Sequence, residues 1–179
     1  CDIQWYEPTA DTSHYHNFAD LCVDGYGRVI PAPNRFPSAA DGKGFGPIAE
    51  YVHSKGLKFG IHIMRGIPRQ AVHQNTPVKG TSYTARQIAH PASICAWNTD
   101  MYGVDATKPG AQEYYDSIIE LYASWGVDFI KVDDICVKYG QAGNENTLQY
   151  GGDEIELLHN AILHSGREIV LSLSPGPAM

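Results

Sequence analysis

The stretch VDFIKVDDI, positions 127–135, decides how the chain is read. Side chains alternate along a strand, so Phe129, Lys131 and Asp133 share one face and Ile130 and Val132 share the other. The apolar pair suits a covering layer of helices. The opposite face then brings a lysine and a carboxylate to the C-terminal end of the strand. Just upstream, PGAQEYYDSIIELYASWG (109–126) reads as a helix. Tyr115, Ile118, Ile119 and Tyr122 recur at helical spacing, Pro109 suits the first turn, and Gly126 closes the end.

Working outward, GLKFGIHIM (56–64) and EIVLSLS (168–174) repeat the strand pattern, and the short aromatic DIQWY (2–6) is expected to form a further strand. Helices are expected over GFGPIAEYVHSKG (44–56) and GDEIELLHNAILHSG (152–166), the latter opening on Asp153 and Glu154, which suits the helix dipole. Alternating strands and helices imply parallel strands with right-handed crossovers. An open doubly wound sheet and an eight-stranded (β/α) barrel both satisfy that order. No G-x-G-x-x-G turn follows any strand, which weighs against a dinucleotide fold. The long connections, about 7–44 and 66–108, follow strands, whereas helix-to-strand returns are short. A barrel gathers its chemistry on such loops, so the expected fold class is α/β, a partial (β/α)8 TIM barrel.

With 179 residues, 43% hydrophobic and 18% charged, the chain is a one-domain length and not disordered. Thirteen Lys+Arg against twenty Asp+Glu give a net charge of −7 without a basic cluster, which argues against a nucleic-acid partner. No apolar run is long enough to span a membrane. Eleven Tyr, three Trp and eight His suit a neutral, hydroxyl-rich ligand as well as a core. Cys1, Cys22, Cys95 and Cys136 lie far apart without a C-x-x-C pair, so a zinc site is not expected, and disulfides and compartment stay open. The sequence opens on Cys1 and stops shortly after an apolar segment, so residues 1–179 are expected to be a fragment of a single larger domain.

Asp2, His62, Lys131, Asp133 and Ser174 all fall at C-terminal ends of successive expected strands. A lysine ammonium beside a carboxylate stabilises its anion, the form a nucleophile needs. A structural ion pair explains Lys131 and Asp133 equally well at this level, and a core histidine explains His62 better than a ligand does. Asp2, Asp133 and Asp134, with His62, are a weaker candidate for a divalent metal, because no H-x-H or H-E-x-x-H spacing supports it. No metal and no cofactor is therefore expected.

Two longer stretches carry a family resemblance. NRFPS followed by GFGPIAEYVHSKGLKFGIHI, and ASWGVDFIKVDD, resemble glycoside hydrolase family 27, the α-galactosidases (melibiases) and α-N-acetylgalactosaminidases. The resemblance covers nearly the whole chain and implies approximately strands two to five of a (β/α)8 barrel in a retaining α-galactosidase. The α-N-acetylgalactosaminidase activity and a non-catalytic sugar-binding barrel are the alternatives, and a metal-dependent barrel hydrolase is a third. It implies Asp133 as catalytic nucleophile, with Asp2, Trp5, His62, Lys131 and Ser174 around a carbohydrate substrate. It also implies that the general acid/base lies after a later strand, beyond residue 179. Four positions depart from the pattern. Ile3 replaces the second Asp of an Asp-Asp-x-Trp strand end that helps hold galactose hydroxyls. His62 stands where a Tyr is usual. Ser174 replaces a Glu near the sugar 2-position, where the N-acetylgalactosaminidases also carry Ser. Cys136 falls one place beyond the usual Cys, which disfavours a disulfide with Cys95.

Overall fold

The computed structural model describes residues 1–10, 18–95, 97–135, 137–138, 149–150 and 152–174. Its backbone is a parallel sheet built from β1 (Gly60–Met64), β5 (Phe129–Asp133) and β8 (Val170–Leu173), in the order β1-β5-β8. Helices α1 (Gly46–Ser54), α4 (Ala111–Ser124) and α5 (Gly152–Ser165) alternate with these strands, as the hydrophobic periodicity requires. Tyr114, Tyr115, Ile118, Ile119 and Tyr122 form the buried stripe of α4. Ile130 and Val132 are 0% and 1% exposed, whereas Phe129 is 39% exposed, so the two faces of β5 divide as the alternation predicts. No described helix is long and apolar enough to cross a membrane.

Two segments differ from expectation. Residues 2–6 form no strand. Cys1 alone makes a parallel-type rung with β1, its amino group donating to the Gly60 carbonyl at 2.6 Å and its carbonyl accepting from His62 N at 2.9 Å. The chain then turns, with Gln4 at φ 59°, and the carbonyls of Trp5 and Tyr6 are taken by Ala32 N and Cys22 N from the following loop. With those acceptors engaged by the loop, no sheet ladder forms. The second difference lies in the 66–108 connection, which is not irregular. It folds into β2 (Ile67–Pro68), α2 (Arg69–Gln74), α3 (Ala85–Ile88), β3 (Ala89–Ile94) and β4 (Met101–Val104), with an antiparallel sheet in the order β2-β4-β3. Short strands interrupted by prolines carry too little periodicity to be read from sequence. A further two-stranded antiparallel pair joins β6 (Val137–Lys138) to β7 (Gln149–Tyr150).

Aromatic rings weld the loop after Cys1 to this scaffold. Trp5 meets Phe45 and Trp125 edge-on at centroid distances of 5.1 and 6.3 Å. Gly44 makes this packing possible, because a Cβ there would sit 2.1 Å from the Trp125 ring.

At the N-terminal edge of β5, Asp128 gathers partners from three segments. Its Oδ2 accepts from Phe59 N at 2.8 Å and faces His53 Nε2 at 2.7 Å, and its Oδ1 accepts from Arg167 Nη2 at 2.7 Å. Burial alone would raise this carboxyl, but the Phe59 N–H, His53 and Arg167 outweigh it and hold it at about 2. A depressed carboxyl contributes stability that is complete above its unfolded value of 3.8 and is lost as pH falls through about 2. Asp128→Asn is therefore expected to cost about 2–3 kcal/mol at neutral pH. Urea titrations of the two proteins should converge as pH falls through that window; a gap that persists to the acid side would assign the loss to something other than this charge.

Candidate active site

The parallel register sets three inward rows on the sheet. Gly60 lies beside Phe129, which lies beside Val170; His62 beside Lys131 beside Ser172; Met64 beside Asp133. Ser174 continues the last row, its N–H donating to the Val132 carbonyl at 2.9 Å. Regular pairing thus brings His62, Lys131 and Asp133 to one end of the sheet. The single rung of Cys1 delivers Asp2 beside His62.

Four of these side chains meet. His62 Nδ1 is 2.7 Å from Asp2 Oδ1, and His62 Nε2 is 3.1 Å from Asp133 Oδ2. Lys131 Nζ stands 4.0 Å from the same Asp133 oxygen, at ion-pair rather than hydrogen-bond distance. The other oxygen, Asp133 Oδ1, accepts from Asp134 N at 3.1 Å. Asp2 also accepts from Ile3 N at 2.8 Å; the His62 bond, that backbone bond and the nearby positive charges hold its carboxyl below the ordinary value. Asp133 is 16% exposed at its side chain, accessible at the rim yet shielded enough for its neighbours to act on it.

Trp5, expected at the sugar, is in the core instead. It is 0% exposed and its Nε1 donates to the His62 carbonyl at 2.9 Å. Its flat indole fills the space under Phe45 and Trp125, so it fixes the strand carrying His62 and offers no face to a ligand. Ile3 is buried at 9% exposure and belongs to the hydrophobic cluster. Where the family resemblance places a hydroxyl-binding acid, this chain has an apolar side chain. Ser174 is half-buried at the end of the outer strand.

Asp134 does not join the other carboxylates. β5 ends at Asp133, and Asp134 adopts φ 58°, which turns its side chain toward Arg65 Nη2 at 3.1 Å. Arg65 also donates from Nε to the Asp134 carbonyl at 2.6 Å and lies 3.6 Å from Glu154 Oε2. Glu154 accepts from Tyr115 OH at 2.5 Å and from Val104 N at 3.1 Å. Arg65 and Glu154 are 3% and 5% exposed. Glu154 reads in the sequence as a first-turn acid that suits the helix dipole, and in the structure it is buried. The apolar residues around Arg65 gave no signal of a buried ionic network.

Cys95 has a free thiol, which burial and then the neighbouring Asp134 push up to about 11, so it is protonated at neutral pH. Cys136 lies outside the described residues. Among the described residues no group of three His, Cys, Asp or Glu side chains is placed to share a metal ion.

No family model matches the chain. Among curated proteins, α-galactosidase 3 of Hypocrea jecorina is 29% identical over 158 residues, 87% of this chain and 23% of its own length. α-Galactosidase A of Homo sapiens is 28% identical over 149 residues, 83% of this chain and 24% of its own. Among solved structures, a glycoside hydrolase family 27 β-L-arabinopyranosidase from Geobacillus stearothermophilus is 61% identical, with a TM-score of 0.91 over 99% of this chain and 39% of that one. A Bacillus halodurans C-125 protein provisionally named as an α-N-acetylgalactosaminidase is 60% identical, with a TM-score of 0.87 over 99% of this chain and 40% of that one. The chain spans about 40% of the solved relatives and about a quarter of these curated ones.

Proposed function

We propose, for a chain that belongs to glycoside hydrolase family 27, that it is the nucleophile-bearing part of a (β/α)8 barrel in a retaining glycosidase of the α-galactosidase type. The observation that carries this reading is the setting of Asp133. One carboxylate oxygen is fixed by the Asp134 amide, and the other faces His62 and Lys131 at the C-terminal end of a parallel strand. That is where a barrel collects its catalytic groups.

In the first step a carboxylate oxygen of Asp133 attacks the anomeric carbon of a terminal α-galactoside. The glycosidic bond breaks, and the aglycone oxygen takes a proton from an acid that the family resemblance places on a later strand. In the second step water attacks the same carbon and gives its proton to that residue's carboxylate. The Asp133 ester bond then breaks, freeing the sugar with its configuration retained. Lys131 and Asp2, both at the rim, are polar groups available to the sugar hydroxyls, beside His62 and Ser174.

Ile3 favours a second reading of the substrate. β-L-Arabinopyranosides are α-D-galactopyranosides without the exocyclic hydroxymethyl group. A site that has exchanged a hydroxyl-binding acid for isoleucine loses less on such a sugar than on galactose. Ser174, smaller than the Glu of galactosidases, favours room for a 2-acetamido group in the same way.

The test is turnover of the nitrophenyl glycosides of α-D-galactose, β-L-arabinopyranose and α-N-acetylgalactosamine by the full-length protein, with the anomer followed by NMR. Retention is expected, with kcat/KM for the three spanning no more than about a hundredfold, because each hydroxyl contact given up costs about 1–3 kcal/mol. A galactose preference beyond about a thousandfold, ~4 kcal/mol, would show that the pocket has replaced the lost contacts. Inversion would remove the nucleophile role, and binding without turnover would favour the sugar-binding barrel.

A further inference from the structure

We infer that His62 is a positioning residue, a bridge that contacts Asp133 and Asp2 through its two ring nitrogens and locks them into one unit. The inference rests on the reading of Asp133 as the nucleophile. His62 Nδ1 lies 2.7 Å from Asp2 Oδ1 and Nε2 lies 3.1 Å from Asp133 Oδ2, so the two nitrogens of one ring hold the two carboxyl groups at hydrogen-bond distance. The charged groups facing it are Asp2 from the turn after Cys1, and Lys131 and Asp133 from β5. The Cys1 amino group, across the strand, is bonded to the Gly60 carbonyl.

Both carboxylates need this bridge. The Asp2 side chain is 90% exposed, and apart from His62 its hydrogen bond is to the adjacent Ile3 amide. For Asp133, His62 provides the one side-chain hydrogen bond among the described residues, since Lys131 remains 4.0 Å away. The bridge itself is rigid. His62 pairs with Lys131 in the sheet, its N–H donates to the Cys1 carbonyl, its carbonyl accepts from Trp5, and its side chain is only 12% exposed. The Tyr usual at this position in the family carries a single hydroxyl and cannot span two carboxylates. Exchange for His therefore gives this chain a coupling that a Tyr could not supply.

Paired substitutions separate the two contacts. In the full-length protein, the amide nitrogen of His62→Gln falls near the Nε2 position and that of His62→Asn near Nδ1. His62→Gln is expected to keep kcat within about tenfold while KM rises, because the nucleophile keeps its donor and Asp2 loosens. His62→Asn is expected to lower kcat about a hundredfold with KM within a few-fold, the scale of loss for a misplacement of about 1 Å. Equal losses in kcat/KM through the same parameter in both variants, or a change in KM alone for His62→Asn, would overturn the inference. Labelling of Asp133 by a fluorinated galactosyl inactivator tests the nucleophile reading separately, whatever the His62 variants do.

Discussion

Asp133→Asn in the full-length protein is expected to lower kcat by at least about 10³-fold, the scale on which enzymes lose turnover when a covalent nucleophile is removed. The fold should survive. Asparagine matches aspartate in shape, its amide oxygen still accepts from His62 or from the Asp134 amide, and the side chain lies at a partly exposed rim. What disappears is the anionic oxygen proposed to form the glycosyl ester. A fluorinated galactosyl inactivator, which slows the second step more than the first, should add one sugar to the peptide carrying Asp133 in the unaltered protein and none in the variant. Mass spectrometry of the digest decides the point. A label on another carboxylate would sink the assignment, and unimpaired turnover in Asp133→Asn would leave Asp133 as only an ion-pair partner of Lys131.

The grouping of side chains at this position is legible because it lies on a regular strand. Once 127–135 is taken as β-structure, the alternation alone puts Lys131 and Asp133 on one face, and parallel pairing adds His62. Both depend only on backbone periodicity, and a short sequence displays that well. Trp5 was misplaced for the opposite reason. Its position follows from a turn at Gln4 and from Phe45 and Trp125, which are distant in sequence, and a single sequence carries no record of such neighbours. Recognition by resemblance identified the residue but not whether its indole meets sugar or core. The antiparallel strands within 66–108 were missed because strands this short fix their register through contacts rather than through pattern.

Arg65 is the clearest case of function invisible in the sequence, and replacing it is expected to do damage on two levels. It sits one residue past β1, 3% exposed, where periodicity predicts nothing about a charged group. Gly66 follows it at φ 90°, and a Cβ there would sit 1.9 Å from the Tyr102 carbonyl, so the chain must turn at this point and aims Arg65 inward. There it holds the Asp134 carbonyl and carboxylate and approaches Glu154, joining the end of β5 to α5. Arg65→Met keeps the volume and removes the positive charge that two buried acids share. Removing one partner from a buried ionic group costs about 3–5 kcal/mol, which should lower Tm by roughly 6–20 °C. The variant Arg65→Met/Glu154→Gln should recover part of that loss, because it also removes one of the two buried carboxylate charges that Arg65 faces. Activity should fall further than stability requires. The Asp134 amide that orients Asp133 Oδ1 belongs to the same residue whose carbonyl Arg65 holds, so releasing that residue frees Asp133, the proposed nucleophile, to rotate. At a temperature where Arg65→Met is fully folded, kcat is therefore expected to remain reduced about tenfold or more, by the sensitivity of reaction geometry to small displacements. A variant that melts within a degree or two of the parent and turns over at the parent rate would show that the network neither supports the fold nor holds the nucleophile.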